Sequence, residues 1–118
     1  DAKSNALKDD LRSMRNAIQL YNAQHGTYPT LTTFETQMTR FSKADGTVSD
    51  TKDATYPFGP YILAMPEMPV GTNVGKNTVT ASTYSDGYGW SYEPTTGNIK
   101  ANLPDGDVDS TGKAYNTY

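Results

Sequence analysis

The chain has no cysteine, which excludes disulfides, a thiolate zinc site and a cysteine nucleophile. That absence does not fix the compartment, because many extracellular bacterial proteins also lack cysteine. Histidine occurs once, as His25. No nucleophile-elbow serine motif and no phosphate-cradling glycine loop is present. Asp9 and Asp10 are neighbours on a helical stretch and point about 100° apart, so they do not make a catalytic pair. Without a convergent set of titratable groups, the chain reads as a non-enzyme. The net charge of −3 comes with no basic cluster, which argues against nucleic acid as a partner. No apolar run reaches the ~18 residues a membrane span needs. There is neither an initiating methionine nor a signal-like segment, so Asp1 reads as a cut point within a longer product.

Hydrophobic residues are also scarce, at 35%, and nine tyrosines supply much of the large apolar surface. A core built from aromatic bodies with polar tips is a thin, two-layer one. The length of 118 residues fits one domain, 1–118.

What is present is one long helical signal. Leu7, Leu11, Met14, Ile18, Tyr21 and His25 recur at alternating steps of four and three, which lines one helix face. Lys8, Asp9, Arg12, Arg15, Asn16 and Asn22 fall on the other faces. The predicted helix covers Ala6 to His25 and stops at Gly26, ahead of Tyr28-Pro29. Asp1 or Ser4 can cap its start; a helix continuing from upstream needs no cap. His25 is placed to meet the last helical carbonyls. The row Lys8, Arg12, Arg15 is either a solvated face or, in an assembly, a contact for acidic groups of a neighbour.

A shorter helix follows. Thr32 and Glu35 match a capping box with Leu31 as staple, and Phe34, Met38 and Phe41 form a narrow stripe. Residues 42–55 turn to Asp, Gly, Ser, Thr and Lys and read as a surface loop. Tyr56 to Met65 contains Pro57 and Pro60, with Pro66 and Pro69 behind, and is predicted to be an extended strap whose side chains cover the core edge. Thr78–Tyr84, Gly89–Glu93 and Asn98–Asn102 read as strands. The last two flank Pro94-Thr95-Thr96-Gly97, where Gly97 suits a left-handed residue. The expected register puts Trp90 and Tyr92 on one face with Ile99 and Ala101, and Ser91, Asn98, Lys100 and Asn102 on the outer face. The long helix has the stripe to cover the apolar face. The fold class is therefore α+β, a long N-terminal α-helix packed across a small antiparallel β-sheet. Tyr84, Tyr88, Trp90 and Tyr92 would alternatively make a sugar-stacking platform, but Trp90 and Tyr92 are needed for the core.

Asp105, Asp107 and Asp109 alternate with Gly106 and Val108 after the last strand. Three carboxylates at this spacing can converge on calcium, whose oxygen shell is flexible; the alternative is a solvated acidic turn. The stretch is no EF-hand, since Gly112 holds the eighth place and no glutamate the twelfth.

The long helix ending in Gly26-Thr-Tyr28-Pro29, then Gly59-Pro60-Tyr61 with Met65-Pro66 and Pro69, then Gly89-Trp90-Ser-Tyr92-Glu-Pro94-Thr-Thr-Gly97-Asn-Ile99-Lys-Ala101-Asn102 resembles the soluble part of type IV pilin-like proteins. It is most similar to the major pseudopilin of type II secretion systems. The similarity touches about half of the chain and leaves Thr36 to Thr55 unmatched. It implies a headgroup outside the cytoplasm, in the periplasm or on the cell surface. An N-terminal apolar helix, absent from this sequence, would anchor it in the bacterial inner membrane. It further implies a homopolymeric helical fibre working with minor pseudopilins and an inner-membrane assembly platform, and calcium in the loop where Asp105, Asp107 and Asp109 lie. The alternative function is a secreted calcium-dependent binding module for a carbohydrate or a cell surface.

Overall fold

A computed structural model describes residues 1–81 and 83–118. The architecture is α+β, a long N-terminal helix with one two-stranded and one three-stranded sheet. Helix α1 spans Ala2–His25, four residues longer at its start than the apolar stripe implies. The extension rests on Asp1, whose carboxylate accepts the Ser4 N–H at 2.9 Å, satisfying one of the free amides of the first turn. At the other end Gly26 takes φ 77° and returns its N–H to the Asn22 carbonyl. Leu7, Leu11, Met14, Ala17, Ile18 and Tyr21 are all buried.

Helix α2 is a six-residue turn, Phe34–Thr39. It buries Phe34 and Met38 as expected, but the Thr32–Glu35 capping box does not form. Thr33 occupies the N-cap position without a side-chain cap bond. This register puts Glu35 one residue too early to reach back to the cap. The Thr33 N–H is met instead by the Thr30 hydroxyl at 3.3 Å. Phe41 leaves the helical stripe and opens β1 (Phe41–Ser42), which pairs antiparallel with β2 (Val48–Ser49). The expected loop at 42–55 is thus partly a hairpin. It is tied down by Gln37 to the Gly46 carbonyl and by Arg40 to Asp50 at 2.7 Å. A Cβ on Gly46 would meet Tyr21 Oη and Gln37 Nε2 at 3.0 Å.

The larger sheet has the order β3-β4-β5, with β3 Val79–Thr80, β4 Trp90–Glu93 and β5 Asn98–Ala101. The β4–β5 hairpin matches the expected register, Trp90 opposite Ala101 and Tyr92 opposite Ile99. Gly97 is left-handed at φ 74°. The pairing of β3 with β4 is parallel, not antiparallel. Gly89 makes it feasible: a Cβ there would lie 2.2 Å from the Lys76 carbonyl oxygen, so only glycine lets the returning chain come this close. The Gly89 and Trp90 amides both donate to the Thr78 carbonyl. The expected strand at 78–84 is cut to two residues; Ser82, which it included, lies outside the described residues.

The core forms where α1 lies across the sheet, chiefly on β5. Trp90, Tyr92, Ile99 and Ala101 share this core with the α1 stripe, joined by Met65 of the strap, by Met68 and Val70 just after it, and by Leu103. The two large aromatics bury their rings and still satisfy their polar ends: Trp90 Nε1 donates to the Pro66 carbonyl at 2.9 Å and Tyr92 Oη to that of Pro29 at 2.7 Å. Two expectations fail at the periphery. Leu63, placed on the strap to cover the core, is 93% exposed. Ser91 and Asn102, placed on a solvated outer face, are buried. The reason is a crossover folded over that face. Asn102 donates to the Ser85 and Tyr88 carbonyls and accepts from the Ser85 N–H and the Ser91 hydroxyl.

Candidate functional site

The acidic triplet sits in a loop that leaves Leu103-Pro104 and returns through a bridge between Val108 and Ala114. Its three carboxylates turn to different protein partners. Asp105 Oδ1 accepts the Asn116 amide at 2.8 Å, and Asp107 Oδ2 accepts the Thr72 N–H at 2.7 Å. Asp109 Oδ1 accepts the Thr111 N–H and hydroxyl and the Lys113 N–H. Its Oδ2 takes the Tyr118 hydroxyl at 2.5 Å. These bonds hold the Asp109 carboxyl well below the usual carboxylate range, the Thr111 hydroxyl first and Tyr118 next. The Tyr118 phenol is raised, mainly by the same bond to Asp109.

The arrangement is a clasp for the C-terminal tail. Arg15 Nη2 reaches out from α1 to the backbone oxygens of Ile99 at 3.1 Å and Tyr118 at 2.9 Å. Lys8 Nζ and Lys113 Nζ lie over the Tyr118 ring, 5.4 and 5.2 Å from its centroid, within cation–π range. Tyr115 meets Tyr118 edge-on at 5.4 Å, and Asn116 donates to the Leu103 carbonyl. The basic row on α1 is therefore partly engaged within the chain: Arg15 holds the tail, Lys8 faces Tyr118, and Arg12 pairs with Asp9 at 2.7 Å. Arg15 and Tyr118 were not singled out as partners in the sequence, and their separation leaves no local signal.

At Asp105, Asp107 and Asp109, where calcium is expected, each carboxylate accepts hydrogen bonds from the protein itself. Among the described residues no three His, Asp or Glu side chains converge as a metal-holding group. Both Asp109 oxygens already serve protein donors.

A second polar cluster closes the C-terminal end of α1. His25 Nδ1 lies 2.9 Å from the Tyr21 carbonyl and Nε2 lies 3.0 Å from Ser42 Oγ. The ring stacks on Tyr21 at 3.8 Å, with Phe58 and Tyr61 edge-on. A serine hydroxyl on an imidazole held by a carbonyl has the outline of an activated nucleophile. Ser42 is completely buried, so no substrate carbonyl can approach its Oγ. The pair joins the helix end to the β1–β2 hairpin.

The tyrosine platform is divided by the fold. Trp90 and Tyr92 are core residues, while Tyr84 and Tyr88 are exposed. Tyr84 borders an open groove of about 450 Å³ on the outer sheet face with Lys100, Asp105 and Asn116, whereas Tyr88 borders a different hollow beside α2. Among the described residues no helix is long and apolar enough to cross a membrane. Comparison with protein-family models, with curated proteins and with solved structures finds no match to this chain.

Proposed function

We propose that the chain is the headgroup of a fibre subunit of the type IV pilin-like class, built for a pseudopilus that serves protein secretion. The observation that carries this reading is the 24-residue α1 whose buried stripe shares one core with a small sheet, with a proline-rich strap and a hairpin following in that order. A subunit of this kind does no covalent chemistry. Its work is mechanical: α1 transmits force between an anchored upstream segment and a headgroup that must not unfold under load. The α1–β5 packing and the Arg15 clasp at the tail resist such shear.

The test is the sequence encoded upstream of Asp1. A leader with a small-residue cleavage site, followed by roughly 20 apolar residues containing an acidic one, is the expected result. A conventional signal peptide ending immediately before Asp1 refutes the proposal. Electron microscopy of material sheared from cells producing the full-length product gives an independent check.

A further inference from the structure

At 100° per residue, the flanks of α1 on either side of its buried stripe face away from one another. On one flank, beside Asp10 and Ser13, the strap raises Leu63 into solvent at 93% exposure, with Ile62 and Ala64 alongside. On the other flank lies a shallow groove of about 390 Å³, lined by Lys8, Leu11, Arg12, Arg15, Asn16 and Tyr118. Its apolar lining comes from the half-buried Tyr118 ring and the stems of Lys8, Arg12 and Arg15, with Leu11, 1% exposed, beneath them. Its rim carries the cations Lys8, Arg12 and Arg15, with Asp9 paired to Arg12 and Asp109 bonded to the Tyr118 hydroxyl. The knob side carries the half-buried carboxylate of Asp10. One flank is thus an apolar knob with an acidic neighbour, the other an apolar groove with a basic rim.

We propose that a second copy of this chain seats its Leu63 in the groove between Leu11 and Tyr118, with Asp10 of the incoming copy facing Lys8 and Arg12. The inference rests on the fibre reading above and names the surfaces that would join its subunits. Because knob and groove face opposite ways, a two-fold dimer cannot fill both grooves at once. The contact is heterologous and repeats as an open array. The contact is small beside the ~1,200 Å² lower bound of stable interfaces, so it needs the high effective concentration that a shared anchor supplies. Opposite charges select the register and add salt dependence.

The absence of cysteine makes the test direct. Ala64→Cys (beside the intact Leu63), Asn16→Cys and Lys52→Cys are introduced singly into the full-length product, and pairs of variants are co-produced and joined with a short bismaleimide. The expected result is a 64–16 product well above the 64–64 and 64–52 products, and a ladder of multimers from the double variant Ala64→Cys/Asn16→Cys. Arg12→Glu should lower the 64–16 yield roughly threefold or more, as should raising the salt. A 64–16 yield no greater than the 64–52 yield overturns the contact. Fibres that form without a 64–16 link refute the contact and leave the fibre reading standing. The link without fibres upholds the contact between copies and refutes the fibre. Neither link nor fibres refutes both.

Discussion

Ile18 is fully buried in the α1 stripe, in the core that the helix shares with the sheet. Replacing it with alanine removes three carbons, a transfer loss of about 2.5 kcal/mol at about 0.8 kcal/mol per methylene. A residual cavity of roughly 50 Å³, at about 24 cal/mol per Å³, adds about 1 kcal/mol. Alanine is the better helix former and returns about 0.4 kcal/mol. The net loss is about 3 kcal/mol, a large share of the roughly 5–15 kcal/mol that holds a domain together. At about 2.1 cal/mol/K per residue, 118 residues unfold with about 0.25 kcal/mol/K, so the midpoint falls by about 12 °C. Asn16, two residues away and exposed, provides the control: Asn16→Ala should stay within about 0.5 kcal/mol. Urea unfolding of the two variants, with the slope m unchanged, reads the difference. A loss below about 1 kcal/mol for Ile18→Ala, or equal losses at both sites, would mean that α1 does not dock on the sheet.

Three further outcomes are expected. Gly89→Ala should block folding or strip β3 from the sheet, because the new Cβ meets a backbone carbonyl at 2.2 Å, whereas Gly106→Ala enters open space and should be silent; circular dichroism and urea midpoints separate the two, and a silent Gly89→Ala would contradict the parallel β3–β4 pairing. Burial pushes the Tyr21 phenol from 10.0 up to about 12 and raises Tyr92 as well. These raised values contribute stability that is fully present below about pH 10, the unfolded tyrosine value, and is lost as pH rises through the folded value. Absorbance at the tyrosinate band should therefore show late-titrating tyrosines coinciding with unfolding, and a single transition near pH 10 in folded protein would count against the burial. The Asp109 carboxyl is depressed by its hydrogen bonds, so its contribution is present above the unfolded carboxylate value near pH 4 and fades only as pH falls through its lower folded value. In chelator, Asp109→Ala should strip hydrogen-exchange protection from the Lys113 and Tyr115 amides. If those amides are unprotected in wild type until calcium is added, the carboxylates serve an ion and the clasp reading fails.

The local elements were legible because each repeats a short period. The three-and-four spacing from Leu7 to Tyr21 could be read as one helix face, and the alternation of Trp90, Tyr92, Ile99 and Ala101 as one sheet face. Both faces are buried against each other. Gly26 and Gly97 marked chain reversals through their need for positive φ. The small-residue punctuation between 42 and 55 concealed the β1–β2 hairpin, whose two-residue strands are too short to show a pattern.

What tertiary structure alone decided are the partnerships between distant residues. The parallel direction of β3 depends on how the chain crosses over the outer sheet face, and the hydrophobic pattern of a strand is the same in either direction. The burial of Ser91 and Asn102 follows from that crossover, because a polar side chain is stable inside only when another segment supplies its hydrogen bonds. The acidic triplet reads in isolation as three like charges in need of a cation. In the fold the donors come from Thr72, Asn116 and Tyr118, and Arg15 meets Tyr118 across 103 positions of chain. Periodicity reports which face a residue occupies along its own element; which group waits opposite is settled only when the elements pack.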